Sequence, residues 1–258
     1  MRRATGARVE ADHLGLHTRQ GTVYTDITFT ARPGTITTFH GEAGTGRTAL
    51  LLTLAARMTP THGTLTIDGH PHPHKARTIR QITALGLTDG VNDLDDRLRV
   101  QEHLTERHYL RLRPANRTLT NAALTHAGLA DLDTTRLVTD LTTNEKRRLG
   151  IALALIDEPR LLLIDNLDHG LSPTHQTHLW DTLTALADHG LTIITTTTNT
   201  THTPTNTTLH PLTRPPRDRS PATERTREKR LRLDGLFAVR GRAGGHTKQG
   251  KKQGKGRA

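Results

Sequence analysis

Residues 35–58 read TITTFHGEAGTGRTALLLTLAARM, and this stretch decides the fold. A short β-branched run ends in the glycine-rich octapeptide GEAGTGRT (41–48), and the Leu- and Ala-rich residues after it predict a helix from Arg47 to Met58. The octapeptide fits G-x-x-x-x-G-K-[ST] at every fixed position but one: Arg47 stands where the pattern has Lys. Gly41, Gly44 and Gly46 let the loop turn its N–H groups inward as a concave nest for phosphate oxygens. The N-terminus of the following helix adds its dipole. Gly41, Glu42, Ala43, Gly44, Thr45, Gly46, Arg47 and Thr48 are therefore the candidate phosphate-binding residues, with the Thr48 hydroxyl placed to ligate Mg²⁺.

A second signal lies downstream. RLLLID (160–165) is a continuous apolar run of strand length, as expected for a parallel strand covered on both faces. It ends in Asp165, at the carboxyl edge where a Mg²⁺-bound water would be held, so Thr48 and Asp165 form the candidate metal site. Around these, strands are read at 23–31 and 35–41, joined by the turn Arg32-Pro33-Gly34, and a half-buried strand at 63–69. Residues 100–157 read mostly as helices broken near Pro114 and Gly128. A helix at 174–188 puts Leu179, Leu183 and Leu186 on one stripe, and LTIIT (191–195) is a second buried strand. HPHPH (70–74) is read as a solvated loop rather than a metal tract because of its prolines. Strands alternating with helices imply an α/β fold around a largely parallel sheet.

Composition narrows the function classes. The 258 residues contain no Cys, which excludes disulfides, thiolate metal sites and Cys nucleophiles. Apolar runs fall short of the roughly 20 residues of a membrane helix, and MRRATGARVE lacks the apolar core of a signal peptide, so the chain reads as cytoplasmic. The formal charge of +11 belongs to the C-terminus: residues 214–258 hold 15 Lys and Arg against 4 acids, while the first 213 are balanced. That segment is Pro-, Gly- and charge-rich and is expected to be a disordered basic tail. Phe237 is its one aromatic, too little stacking surface for a single-strand binder, and nucleic acid is not expected as a partner.

With both motifs in place, the chain resembles the nucleotide-binding domain of ATP-binding cassette (ABC) proteins over roughly residues 8–200. GEAGTGRT resembles the family's Walker A motif and THGTLTIDGHP (61–71) the strand after its helix; RLRVQEHL (97–104) looks like the opening of the helical subdomain. LTTNEKRRLGIALALIDEPRLLLIDN (141–166) resembles signature motif, helix and Walker B without a gap. The resemblance implies a P-loop NTPase-type parallel sheet with an N-terminal antiparallel region and a helical subdomain at about 92–157, in a domain spanning 1–213. It implies ATP and Mg²⁺ as ligands, bound by Gly41–Thr48 and Asp165. It also implies a membrane-spanning transporter subunit on a separate chain as partner. A head-to-tail dimer with itself or another cassette follows, at the inner face of the membrane.

Several family positions are substituted. Besides Arg47, the general-base Glu is Asn166, the switch His is Thr198, the D-loop Asp is Ser172, and the Q-loop Gln falls at Gly90, flanked by Asp89 and Asp93 as solvated carboxylates. The signature LSGGQ is LTTNE (141–145), where Thr142 keeps a hydroxyl but Thr143 and Asn144 replace glycines and Glu145 adds negative charge. The adenine-stacking position falls at Thr18, with His17 beside it as an exposed histidine and Tyr24 assigned to the core. Asn holds a water but does not accept its proton, so weak or absent hydrolysis is expected. A catalytically inert cassette, serving as scaffold or nucleotide-gated module, is the alternative reading.

Overall fold

The computed structural model describes residues 5–110, 112 and 114–215; the segment read as a basic tail lies, apart from Arg214 and Pro215, outside the described residues. The chain opens with β1 (Val9–Thr18), β2 (Gly21–Ala31), β3 (Ile36–His40) and α1 (Arg47–Leu54). β4 (His62–Ile67), β5 (His70–His72), α2 (Ala76–Ile82) and β6 (Thr83–Leu85) follow. Then come α3 (Val100–Leu110), α4 (Arg117–His126), a 3₁₀ turn at Val138–Asp140 and α5 (Thr143–Leu155). The last elements are β7 (Leu161–Ile164), α6 (Pro173–Asp188), β8 (Thr192–Thr197) and β9 (Thr208–Pro211).

The strands form two sheets. One is antiparallel, in the order β2-β1-β4-β5; the other is parallel, in the order β6-β7-β8-β3-β9. All four residues of β7 and all six of β8 are buried, as a strand covered on both faces requires. Alternation along β7 sends Leu161 and Leu163 into the core shared with α1 and the antiparallel sheet. Leu162 and Ile164 point to the other core, made with α5 and α6. The polar ending of β8 hides its length from the sequence: the strand continues through Thr196 and Thr197, both buried. Burial is tolerated there because the Thr196 hydroxyl donates to Asp165 and the Thr197 hydroxyl donates to Asn199 O (2.8 Å).

Two sequence readings are corrected, and one strand escaped the sequence. The strands read at 23–31 and 35–41 are not a hairpin: β2 pairs with β1, whereas β3 lies between β8 and β9 in the other sheet. β1 escapes a period-2 reading because its register shifts between Ala11 and Leu14 and again by Leu16, with His13 at φ 47°. HPHPH is not wholly a solvated loop, since His70–His72 pairs with β4, and the buried His72 ring places Nε2 2.8 Å from Met58 O. Among the described residues, no helix is long and apolar enough to cross a membrane.

Arg148 joins three elements of the helical side. Its side chain is buried on α5; Nη1 donates to Ala127 O (2.8 Å) at the end of α4 and to Thr182 Oγ1 (2.9 Å) on α6. Removing the guanidinium strands these acceptors in a closed site. Arg148→Ala should cost about 2–4 kcal/mol of stability in urea unfolding. Arg148→Lys should recover only part, because an ammonium lacks the planar fork. A loss below about 1 kcal/mol for the alanine variant would show that the clamp does not hold these helices.

Candidate functional site

β3 delivers the chain to Gly41 beside β8, where the Gly41 N–H donates to Thr197 O (3.3 Å). The loop then closes on itself: the buried Thr45 donates its hydroxyl to Glu42 O (2.9 Å), leaving Glu42, Ala43 and Gly44 exposed. Gly46 caps α1 at φ 87°, and a Cβ there would stand 2.6 Å from Val23 O, so both backbone conformation and close approach require glycine. No side chain caps this helix and no acid lies in its first turn. The first N–H groups of α1 are thus without a side-chain acceptor, and the terminus suits an anion. Arg47 Nη1 is buried without a hydrogen-bond partner.

Asp165 stands opposite this loop, just past the end of β7, with 2% of its surface exposed. The Thr48 hydroxyl donates to its Oδ2 and the Thr196 hydroxyl to its Oδ1, each at 2.6 Å. The structure thus brings the two candidate metal ligands together. Two hard oxygen donors beside an anion nest match Mg²⁺, which retains waters and takes phosphate oxygens for its remaining positions. The Asp165 carbonyl also accepts from Arg147 Nη1 (3.3 Å).

The substituted positions have local roles of their own. Asn166, at φ 46°, donates its N–H to Thr196 Oγ1 (2.8 Å). Thr198 is held by Asp168, whose Oδ2 accepts from the Thr198 hydroxyl (2.5 Å), the Thr198 N–H (3.0 Å) and the Asn199 N–H (3.0 Å). Ser172 caps α6, accepting from the His175 N–H (3.3 Å). Gly90 donates its N–H to the Asp93 carboxylate (2.9 Å to Oδ2), while Asp89 faces Arg147 at 3.9 Å.

In LTTNE, Thr142 and Glu145 form a capping box at the start of α5. The Thr142 hydroxyl donates to Glu145 Oε2 (2.9 Å), and Arg136 Nη1 donates to Oε1 (2.9 Å). Burial pushes the Glu145 carboxyl up, but bonds from Thr142 and Arg136 outweigh it and hold its pKa below the usual value. The negative charge that Glu145 adds to the signature position is therefore engaged locally. Near the expected adenine position, His17 is exposed and its Nδ1 lies 3.0 Å from Thr22 Oγ1. Tyr24 is core: its hydroxyl donates to Thr53 Oγ1 (2.7 Å), and burial pushes its pKa up to about 12.

Sequence reasoning missed Thr196, Asp168 and Arg147. Thr196 sits in a threonine run that reads as strand filler, and Asp168 and Arg147 gain their meaning only when β7, β8 and α5 come together. The T-x-x-E spacing of Thr142 and Glu145 was visible in the sequence as a helix start.

A family model described as ABC transporter matches residues 24–168, a span that contains Gly41–Thr48 and Asp165. The Nod factor export ATP-binding protein I of Neorhizobium galegae is 32% identical over 181 residues, covering 69% of this chain and 51% of that protein. Its counterpart from Paraburkholderia xenovorans is 30% identical over 193 residues, covering 74% and 62%. The chain spans about half to three-fifths of the length of these curated relatives. Among solved structures, cbiO1 from Clostridium perfringens, part of the ABC transporter complex cbiONQ, superposes with a TM-score of 0.67 at 19% identity. That match covers 90% of this chain and 97% of the other. A bacterial Atm1-family ABC exporter with ATP bound gives 0.68 at 21% identity, covering 82% and 39%. With its loop, its acidic strand end and its two-sheet architecture accounted for together, the chain belongs to the ABC transporter family as a nucleotide-binding domain.

Proposed function

We propose that this chain is the ATP-binding subunit of an ABC-type membrane transporter, binding Mg·ATP through Gly41–Thr48 and Asp165 with weak or absent hydrolysis. The observation that carries the reading is the convergence of the Thr48 hydroxyl and the Asp165 carboxylate at 2.6 Å beside an uncapped helix N-terminus. The N–H groups of the nest bind phosphate, and Thr48 and Asp165 hold the metal. Bound Mg²⁺ neutralises charge on the phosphates. Arg47 keeps a positive charge, but a guanidinium is not equivalent to the point charge of Lys. Asn166 orients a water without taking its proton, and loss of a general base typically removes about 10²–10⁴-fold of rate.

The partner side of the proposal is a membrane-spanning subunit on a separate chain, with the domain acting as a head-to-tail dimer at the cytoplasmic face. A groove of about 570 Å³ between α1 and α3 combines Leu52, Met58, Val91 and Leu110 with Arg57, Arg80, Arg107 and Asp157, a mixed lining that supports docking of an amphipathic rather than a purely apolar segment. Val91 and Leu110 are exposed, as are Tyr109 and Leu112 nearby in sequence.

Calorimetric titration of the full chain with Mg·ATP should give binding in the micromolar to low millimolar range, abolished by Thr48→Ala with Asp165→Ala. A folded protein that gives no heat at millimolar ATP would leave the inert scaffold as the reading.

Asp168 supplies a pH test of the substituted switch. Burial pushes its carboxyl up, yet hydrogen bonds from Thr198 and Thr197 prevail and hold its pKa below the ordinary 3.8. A depressed folded pKa stabilises the protein fully above the unfolded value, and that contribution disappears as pH falls through the folded pKa. Asp168→Asn should therefore lower stability at neutral pH and flatten the acid limb below pH 3.8 in thermal melts across pH. An acid limb identical to that of the unmodified protein would show that the Asp168–Thr198 contact carries no folding energy.

A further inference from the structure

β9 runs parallel to β3 with Pro211 opposite His40, so the chain leaves β9 at the same sheet end where β3 enters Gly41. The Leu212 N–H donates to His40 O (2.7 Å), and its buried side chain fixes the exit. Its carbonyl oxygen lies 2.5 Å from where a Cβ on Gly41 would stand. Two residues later, Arg214 reaches over the phosphate nest. A Cβ built on Gly44 would lie 3.3 Å from Arg214 Nη2, 3.6 Å from Cζ and 3.8 Å from Nε, which sets the guanidinium across the open face of the loop. Pro215 biases Arg214 toward extended backbone, away from a helical turn that would carry it off the loop.

The charges around Arg214 leave it available. It is exposed and forms no ion pair with a described residue, and neither does Glu42, the one acid of the loop. An independent feature of the same loop is Arg47 Nη1, buried without an acceptor. A planar guanidinium presents paired N–H donors that match phosphate oxygens, and such charge-assisted bonds are about twice as strong as neutral ones.

We infer that Arg214 is a phosphate-binding residue of this site, contributed by the segment after β9 and closing on the polyphosphate of a nucleoside triphosphate. The inference rests on the Mg·ATP reading above. Arg214 supplies a solvent-facing cation that can follow the phosphates, whereas Arg47 is anchored at the start of α1. The Pro211–Arg214 segment thereby becomes part of the nucleotide site.

Titration of the full chain with Mg·ATP and with magnesium tripolyphosphate tests it. Arg214→Ala should weaken both ligands by about tenfold, as loss of a charged hydrogen bond predicts, and Arg214→Lys should restore part of the loss. The melting temperature of the ligand-free protein should stay unchanged, because the side chain is exposed. Equal binding by Arg214→Ala and the unmodified chain would overturn the inference while leaving the Mg·ATP reading intact. Tighter binding by Arg214→Ala would also overturn it, identifying the arginine as a plug. Failure of the unmodified chain to bind either ligand would overturn both readings.

Discussion

A carboxylate with 2% of its surface exposed must have hydrogen-bond donors, and Asp165 has two hydroxyls, Thr48 from α1 and Thr196 from β8. The rest of the site depends on this arrangement. The Thr48 contact ties the start of α1 to the end of β7, and therefore holds the glycine loop against the acidic strand end. The Thr196 contact ties β7 to β8, while Thr196 also accepts the Asn166 N–H and its carbonyl accepts the Leu167 N–H. One buried charge thus orders both the loop that would take phosphate and the segment that would face the attacking water. Replacing Asp165 by an apolar residue would leave Thr48 and Thr196 without their acceptor.

On the proposed reading, the same geometry would separate binding from turnover. Apart from the Lys-to-Arg47 change, the parts that would bind phosphate and metal are present: glycines where backbone must approach, a helix terminus without an acid in its first turn, and paired hard oxygens. The positions to which the family resemblance assigns turnover are altered at several independent places. Asn166 lacks a basic oxygen, Thr198 is engaged by Asp168, and the signature threonine shares its hydroxyl with Glu145. These replacements are internally satisfied rather than left as defects. Asp168 accepts backbone and hydroxyl donors, and Glu145 completes a capping box and pairs with Arg136. The substituted residues serve the folded state, which supports the proposal of a cassette that would hold nucleotide with weak or absent hydrolysis.

The readable parts of the sequence were those in which local chemistry and local pattern coincide. GEAGTGRT carries its own backbone requirement, and RLLLID is uniform because both its faces are covered, so loop, strand and acid all emerge without the fold. Less legible were features made by long-range pairing. β1 has a shifted register that breaks its alternation, and β5 carries a proline yet pairs with β4 and buries His72. The threonines of β8 read as polar although their hydroxyls are satisfied inside the sheet. Arg214 read as the first charge of a tail, because its place over Gly44 follows from β9 lying beside β3, a pairing across most of the chain.

The proposed separation of binding from turnover can be tested in one experiment. The 258-residue chain, in excess over radiolabelled Mg·ATP, is mixed, quenched over time, and assayed for labelled phosphate. The bound label should remain ATP over times in which a cassette with a glutamate after Walker B completes its turnover. Phosphate released at the rate of such an intact cassette would contradict the proposal that this site binds nucleotide with weak or absent hydrolysis.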